Sequence, residues 1–214
     1  MEAFFCLCRE PQIGVDLVRE WRKMTSNFEA IISQYFSDGQ KNLSNISISD
    51  VLVLVNALQV IQLSGNTLFI AGNGGSASTS SHFATDIGVG SLRRNNPVRV
   101  VSLCDSLAVI TALSNDFSYD LVFADQLRLL AKSGDLLLVV SASGNSKNLI
   151  EAVKVGRELG VDAYSMTGFD GGELRSLTRG RNIHIDTPKG AYGLVEDLHL
   201  AVCHVITECL RSIK

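Results

Sequence analysis

Five short aliphatic runs alternate with helical patterns after residue 66, and no other feature constrains the fold of this chain as strongly. The runs occupy residues 67–72, 98–103, 136–141, 162–167 and 182–186. The helical patterns occupy residues 76–87, 104–131, 146–159, 171–179 and 191–212. Strands that are aliphatic throughout and alternate with helices indicate parallel β-α-β units, because helices then cover both faces of the sheet. The sequence therefore predicts an α/β three-layer sandwich, with a five-stranded parallel sheet flanked by helices.

The chain begins with a predicted helical extension. Residues 12–63 read as helical with a break between Gly39 and Ser49, and apolar residues such as Phe28 and Ile31 fall on one stripe of the first helix. We therefore predict an extension over 1–65 and a sheet domain over 66–214. Together they form one structural domain, because 214 residues suffice for one well-buried core and are few for two.

Composition argues against several classes of partner. A formal net charge of −3 with scattered basic residues provides no basic face for nucleic acid or an anionic membrane. No apolar run reaches the roughly 18 residues that a membrane helix needs, and the N-terminus lacks a secretory signal pattern, so a cytoplasmic protein is expected. The cysteines number five and lack CxxC spacing, which predicts reduced thiols at positions 6, 8, 104, 203 and 209.

A phosphate-binding loop is predicted after the third strand. In an open parallel sheet, ligands bind beyond the carboxyl ends of the strands. The sequence there is SASGNS, and Ser141, Ser143 and Ser146 lead into a helix. Hydroxyls and backbone N–H groups that converge at a helix N-terminus bind a phosphate dianion. No Gly-Lys-Ser/Thr ending follows, so this is not the loop that binds a nucleotide triphosphate, and a single sugar phosphate fits better.

A second polar loop, GNGGSA, follows the first strand. Its glycines, Gly74 among them, permit a tight turn, while Asn73 and Ser76 supply hydrogen bonds at a helix start. The loop also fits a loose dinucleotide-binding fingerprint with Asp105, after the second strand, as the ribose-binding acid. That reading is disfavoured, because Asp105 lies some 30 residues on rather than about 20, and the serine loop would remain unexplained. A plain glycine turn and a plain polar loop are a further alternative.

Candidate acid-base residues lie on two predicted helices. His82 and Asp86 are four residues apart and share a helix face. In the last helix, Glu196 lies within about 80° of both His199 and His204 at 100° per residue. We expect His204 to be buried and to need a polar partner, whereas His199 reads as a surface or packing residue and His184 as structural.

These motifs, taken in order, resemble the sugar isomerase (SIS) domain, and within it the sedoheptulose 7-phosphate isomerases, also called phosphoheptose isomerases. The similarity covers roughly residues 20–212. It rests on GNGGS with HFA at 82–84, on Asn115-Asp116-Phe117 with Asp120, on SASGNS, on TGFDGG at 167–172 and on VEDLHLAVCHVI at 195–206.

The resemblance implies a five-stranded parallel sheet and a homotetramer that shares active sites between subunits, with the N-terminal helices packing the oligomer. It implies conversion of sedoheptulose 7-phosphate to D-glycero-D-manno-heptose 7-phosphate through a cis-enediol. It places the phosphate on Ser141, Ser143 and Ser146, and the sugar on the loop residues Asn73, Gly74 and Ser76 together with Asp105 and Glu196.

The same resemblance assigns Asp86 as the catalytic base and His204 as its acid partner. It also implies zinc, bound by His82, Asp86, Glu196 and His204, a set compatible with tetrahedral Zn²⁺. Three positions depart from the family pattern. Asp86 replaces a glutamate, which sets the base back by about 1.5 Å; Glu196 replaces a glutamine; and Ala77 replaces a histidine.

Two non-enzymatic alternatives belong to the same fold. One is a binding module like the bacterial SIS protein that regulates the replication initiator; it lacks the carboxylate near 86 and the histidine near 204, so their presence here favours an enzyme. The other is a sugar-phosphate-sensing transcription regulator. The latter normally carries a fused DNA-binding domain, and the extension shows no helix-turn-helix with basic recognition residues.

Overall fold

A computed structural model of the chain describes residues 15–212, without the side chains of 15–20, 22–24 and 26. Cys6 and Cys8 lie outside the described residues, and the other three cysteines are free thiols. The helices are α1 Val15–Ser44, α2 Ile48–Ser64, α3 Gly75–Ser91, α4 Leu107–Asp116, α5 Val122–Leu130, α6 Lys147–Glu158, α7 Gly172–Leu177 and α8 Tyr192–Ser212. The strands are β1 Thr67–Gly72, β2 Arg99–Ser102, β3 Leu136–Ser141, β4 Asp162–Gly168 and β5 Asn182–Ile185.

The five strands form one parallel sheet in the order β2-β1-β3-β4-β5, which confirms the predicted fold class. Successive side chains of β1 and β3 point to opposite faces and enter two separate cores. Leu68 and Leu138 pack with α2, α3 and α8 on one face. Phe69 and Leu137 pack with α5, α6 and α7 on the other face. The molecule from Asn42 onwards is therefore a three-layer sandwich.

The N-terminal helices differ from the prediction in two respects. The chain divides into one compact unit that ends at Lys41 and a second that begins at Asn42, so α2 belongs to the unit that contains the sheet. The predicted break is shorter than expected, because α1 continues through Gly39 to Ser44. Only residues 45–47 separate the helices, and the Ser47 side chain accepts a hydrogen bond from the Asp50 N–H, which caps α2.

The predicted helix over 104–131 is wrong as a single element. It is divided into α4, a 3₁₀ turn at Tyr119–Leu121 and α5. Phe117 leaves the helical region, and Ser118 is extended, with its hydroxyl accepting from the Asp120 N–H. Serine side chains compete with the helix in this way by offering the backbone a local partner.

Among the described residues, no single helix is long and apolar enough to cross a membrane. The segments Asn27–Ser44 and Ile48–Ser64 meet that test only when they are taken together. The second of these segments buries Leu54, Leu58 and Ile61 in the core beside the sheet. Its apolar character is thus accounted for in part by packing.

Candidate active site

The site lies where strand order reverses, beyond the carboxyl ends of β1 and β3. β1 pairs with β2 on one side and with β3 on the other, and the helices that follow β1 and β3 cover opposite faces of the sheet. Their connections must diverge at this point, which opens a crevice in α/β sheets of this kind. The two polar loops predicted from sequence border this crevice.

The serine loop is held in a shape that leaves the start of α6 available to a ligand. The Ser141 hydroxyl accepts from the Gly144 N–H at 3.1 Å, and the Ser143 hydroxyl accepts from the Asn145 N–H at 3.3 Å. Ser146 precedes α6 with an extended backbone, and its side chain makes no capping hydrogen bond. First-turn N–H groups have no acceptor within their own helix, so an anion can bind them.

The glycine loop begins α3, where an acid already lies against the helix start. Gly74 adopts φ +56° and Ser76 is buried. The carboxylate of Glu196, from α8, lies so close to Gly75 that any Cβ there would overlap it. A carboxylate at a helix N-terminus is favoured by the helix dipole and repels a second anion. Of the two helix starts, the one at α6 is therefore the better phosphate site.

Asp105 follows β2 at the edge of the same crevice. Its carboxylate accepts a hydrogen bond from the Ser81 hydroxyl of α3, and Ser81 also contacts the Ser102 hydroxyl at 3.3 Å. The neighbouring Cys104 thiol donates to the Gly72 carbonyl at 3.4 Å. Burial raises the pKa of this thiol, so it stays protonated near neutral pH and is a poor nucleophile.

Three titratable side chains from α3 and α8 converge about two to three turns along α3 from the glycine loop. The Asp86 Oδ2 atom lies 3.4 Å from His82 Nε2 and 3.8 Å from His204 Nε2, and the two Nε2 atoms are 3.3 Å apart. The sequence placed these groups on two helices, and the structure brings them together. The shorter aspartate side chain still reaches both histidines, so the missing methylene does not remove the carboxylate from the cluster.

The same three atoms suit a small metal ion. They lie within 4.8 Å of one another. Tetrahedral Zn²⁺ with ligands at about 2.0–2.1 Å requires neighbouring ligand atoms about 3.3–3.4 Å apart, close to the distances found here. Glu196, the predicted fourth ligand, is not in this group and lies against Gly75 instead. The described cluster thus offers three ligands.

The predicted burial of His204 is wrong, because half of its side chain (51%) is exposed. Of the two alternatives for His199, a surface or a helix-packing residue, the structure selects packing. His199 is completely buried, and its ring nitrogens make no hydrogen bond of normal geometry. Burial lowers the pKa of His199 to about 4, and the Thr167 backbone offsets only part of this effect. His199 is therefore a neutral core residue.

Comparison with known proteins shows the family to which the chain belongs. Residues 34–168 match the family model described as the SIS domain. A probable phosphoheptose isomerase of Thermoplasma acidophilum is 32% identical over 81% of this chain and 93% of its own length. The chain belongs to the phosphoheptose isomerases of the SIS domain family. A phosphoheptose isomerase of Akkermansia muciniphila is 36% identical over 69% of this chain and 76% of its own length.

A solved phosphoheptose isomerase structure from Neisseria gonorrhoeae superposes on the chain with a TM-score of 0.79. It has 26% sequence identity, and the match covers 89% of this chain and 100% of that one. The SIS fold predicted from sequence, with its five parallel strands, is thereby confirmed.

Sequence reasoning missed two polar residues that contact Asn73 beside the crevice. Asn148 is buried in the first turn of α6 and exchanges hydrogen bonds with Asn73 at 2.9 and 3.0 Å. The Tyr119 hydroxyl donates to Asn73 Oδ1 at 2.7 Å. An asparagine two residues after the predicted serine loop was the available signal for the first. Tyr119 gave no signal, because the prediction placed it inside a continuous helix.

Proposed function

We propose that this crevice isomerises sedoheptulose 7-phosphate to D-glycero-D-manno-heptose 7-phosphate, with Asp86 and His204 as the catalytic pair. The observation that carries the proposal is the meeting of Asp86, His82 and His204 on α3 and α8, the two helices that also meet at the glycine loop through Gly75 and Glu196. Aldose-ketose isomerisation needs one group that moves a proton between carbons and another that moves a proton between oxygens. A carboxylate beside two imidazoles supplies both.

The charge distribution supports one orientation of the substrate. The phosphate binds the serine loop and the start of α6, which Ser141, Ser143 and Ser146 precede. Glu196 repels it from the start of α3. The sugar chain then extends along Asn73, Gly74, Ser76 and Asp105, with Glu196 near its far end. Its carbonyl end meets a cluster between α3 and α8, which the shared sites of the proposed tetramer supply from a neighbouring subunit.

The proposed reaction is a pair of balanced proton transfers. The Asp86 carboxylate removes a proton from C1 while His204 protonates the C2 carbonyl oxygen, which gives the cis-enediol. His204 then takes the proton of the C1 hydroxyl as the C1 carbonyl forms, and Asp86 returns its proton to C2. Each residue ends in its starting protonation state, so one cycle needs no co-reactant.

We further propose that His82, Asp86 and His204 hold zinc, which competes with the proton transfers above because metal-bound Asp86 and His204 are not free to exchange protons. The spacing of their ligand atoms supports this, and zinc bound there would supply Lewis-acid polarisation of a carbonyl oxygen. Glu196 joins the set only if its side chain leaves the start of α3. Elemental analysis of protein purified without chelator measures the metal directly.

We also propose a cytoplasmic homotetramer with shared active sites and with α1 in the interface. The absence of a single spanning helix in the described residues supports the location. The exposed apolar residues of α1, which include Phe28, Ile31, Ile32 and Phe36, support the assembly.

Turnover of Asp86→Asn tests the catalytic assignment. Purified protein is mixed with sedoheptulose 7-phosphate, and the aldose product is followed by NMR. Loss of a general base lowers kcat by about 10²–10⁴-fold. We expect a loss of kcat in this range for Asp86→Asn and a similar loss for His204→Ala. Both variants should also contain less zinc than the wild type. Asp125→Asn is the matched control, because Asp125 is similarly exposed (21% against 26%) but pairs with Arg128 on α5.

A binding module of the same fold makes the opposite prediction. It would bind sedoheptulose 7-phosphate in calorimetry yet convert none of it, with or without added Zn²⁺. Asp86→Asn would then leave the measured affinity and every other property unchanged. That combination would overturn the enzymatic proposal.

A further inference from the structure

Asn73 is the point at which the two ligand loops are joined. It follows β1, and its side-chain amide exchanges two hydrogen bonds with the amide of Asn148, which follows β3. In the sheet that the structure describes, these are the two strands whose carboxyl ends border the reversal of strand order. A reciprocal amide pair across the crevice fixes the distance between the glycine loop and the serine loop.

Tyr119 adds a third element to this junction. Its hydroxyl donates to Asn73 Oδ1 at 2.7 Å from the 3₁₀ turn between α4 and α5. The turn exists because the chain leaves the helix at Phe117 and Ser118. In an unbroken helix, successive side chains would be turned by about 100°, and the Tyr119 hydroxyl would not lie in its present position against Asn73.

The hydrogen-bond capacity of Asn73 is nearly used up by these contacts. Its Oδ1 has two lone pairs, and both accept, one from Tyr119 and one from Asn148. Its Nδ2 carries two hydrogens, and one is donated to Asn148. One N–H remains without a partner among these hydrogen bonds, and Asn73 is only partly buried.

We propose that Tyr119 and Asn148 are positioning residues that hold Asn73 as a one-proton donor to a sugar oxygen. The proposal rests on the function proposed above, in which Asn73 binds the sugar chain. With both acceptor positions occupied, the Asn73 amide is prevented from turning its carbonyl oxygen to the ligand. The site then selects a hydroxyl or carbonyl oxygen that accepts a hydrogen bond at this position.

Tyr119→Phe removes the hydroxyl while keeping the ring. One hydrogen bond between neutral groups is worth about 0.5–1.5 kcal/mol, a factor of about 2–10. We expect the KM for sedoheptulose 7-phosphate to rise by about 2–10-fold with kcat changed less than about twofold, since Asn73 binds away from the reacting carbons. Tyr192→Phe is the matched control, because Tyr192 is equally exposed (53% against 52%) and should leave both constants unchanged.

A merely structural role for Tyr119 gives a different result. Partial unfolding reduces the amount of active enzyme, so kcat would fall at constant KM and the midpoint of thermal unfolding would drop. Either this pattern or an unchanged KM would overturn the proposal. Asn148→Ser, which keeps a small polar group at a buried position, should raise KM in the same direction as Tyr119→Phe.

A second measurement separates this proposal from the proposed function. Thermal unfolding of Asn73→Ala, Tyr119→Phe and the double variant needs no turnover. If the bridge exists, the double variant loses less than the sum of the single losses, because each substitution removes the same hydrogen bond. If the wild-type protein shows no turnover, the proposed function is refuted, but the comparison of unfolding stabilities still tests the hydrogen bond between Tyr119 and Asn73. If the stability losses of the two single variants add up in the double variant, that hydrogen bond is refuted.

Discussion

At the residue scale, the two histidines of α8 differ in exposure and in polar contacts because they lie on opposite sides of the helix. His204 faces Asp86 and is half exposed, while His199 faces β4 and β5. An imidazole without normal hydrogen bonds in a dry core resists protonation, because the charged form loses its hydration. Burial also lowers the pKa of His184, which contacts Thr167 at 3.1 Å, although His184 is only partly buried.

The buried His199 predicts acid sensitivity of the fold. Its pKa is about 4 in the native state against about 6.5 in an unfolded chain, so the unfolded state binds more protons between these values. Native stability should therefore be unaffected by this residue above pH 6.5 and should fall as pH drops from 6.5 to 4, by roughly 3 kcal/mol from the linkage relation.

Unfolding of His199→Leu across the same pH range measures this contribution. The variant should lose less stability between pH 6.5 and 4 than the wild type, whatever its stability at pH 7. Leu198→Ala is the control, because it removes a buried side chain of α8 without removing a titratable group; it should lose stability at every pH and retain the wild-type slope. Parallel slopes for His199→Leu and wild type would show that protonation of His199 is not linked to unfolding.

At the element scale, the serine loop depends on α7 as well as on the strand and helix that it connects. The Gly144 carbonyl accepts from the Leu174 N–H at 3.0 Å, and the Asn145 side chain accepts from the Glu173 N–H at 3.0 Å. Gly144 has φ +65°, and a Cβ there would overlap the carbonyl of Gly171. The loop can take its ligand-binding shape only with glycine at this position.

Gly144→Ala should therefore damage both the stability and the phosphate site. A left-handed conformation alone costs an alanine about 1–2 kcal/mol, and the overlap with backbone adds to that. Gly180→Ala separates the two effects, since Gly180 has φ +77° with no atom near its missing Cβ. We expect chemical denaturation to show that Gly180→Ala lowers the free energy of unfolding by about 1 kcal/mol, with an unchanged KM. Gly144→Ala should lower the free energy of unfolding by more and should also raise KM. Equal losses would contradict the packing explanation.

At the scale of the whole molecule, the sandwich from Asn42 onwards has its own two cores, whereas α1 exposes a row of large apolar side chains. Phe28, Ile31, Ile32 and Tyr35 recur at helical spacing and are all exposed. Exposed apolar faces of this size usually mark a surface that another protein covers. The proposed homotetramer assigns that surface to other copies of the chain.

Ile32→Glu tests the assembly. A charge placed in an apolar interface has to be desolvated, so we expect analytical ultracentrifugation to show species smaller than those of the wild type at equal concentration. Ser33→Glu adds the same charge next to it on an exposed position off the apolar row and should not change the assembly. Identical distributions for wild type and Ile32→Glu would remove α1 from the interface.

The sequence by itself determined the parallel five-stranded fold, the two ligand loops and the pairing of His82 with Asp86. These features depend on periodicity, on glycine at turns and on spacing within one helix, all of which are local. Tertiary structure decided which α8 histidine is buried, where Glu196 lies and that Asn73 meets Asn148 and Tyr119. His199 and His204 both have apolar neighbours in sequence, so only the packing of α8 against the sheet and α3 distinguishes them.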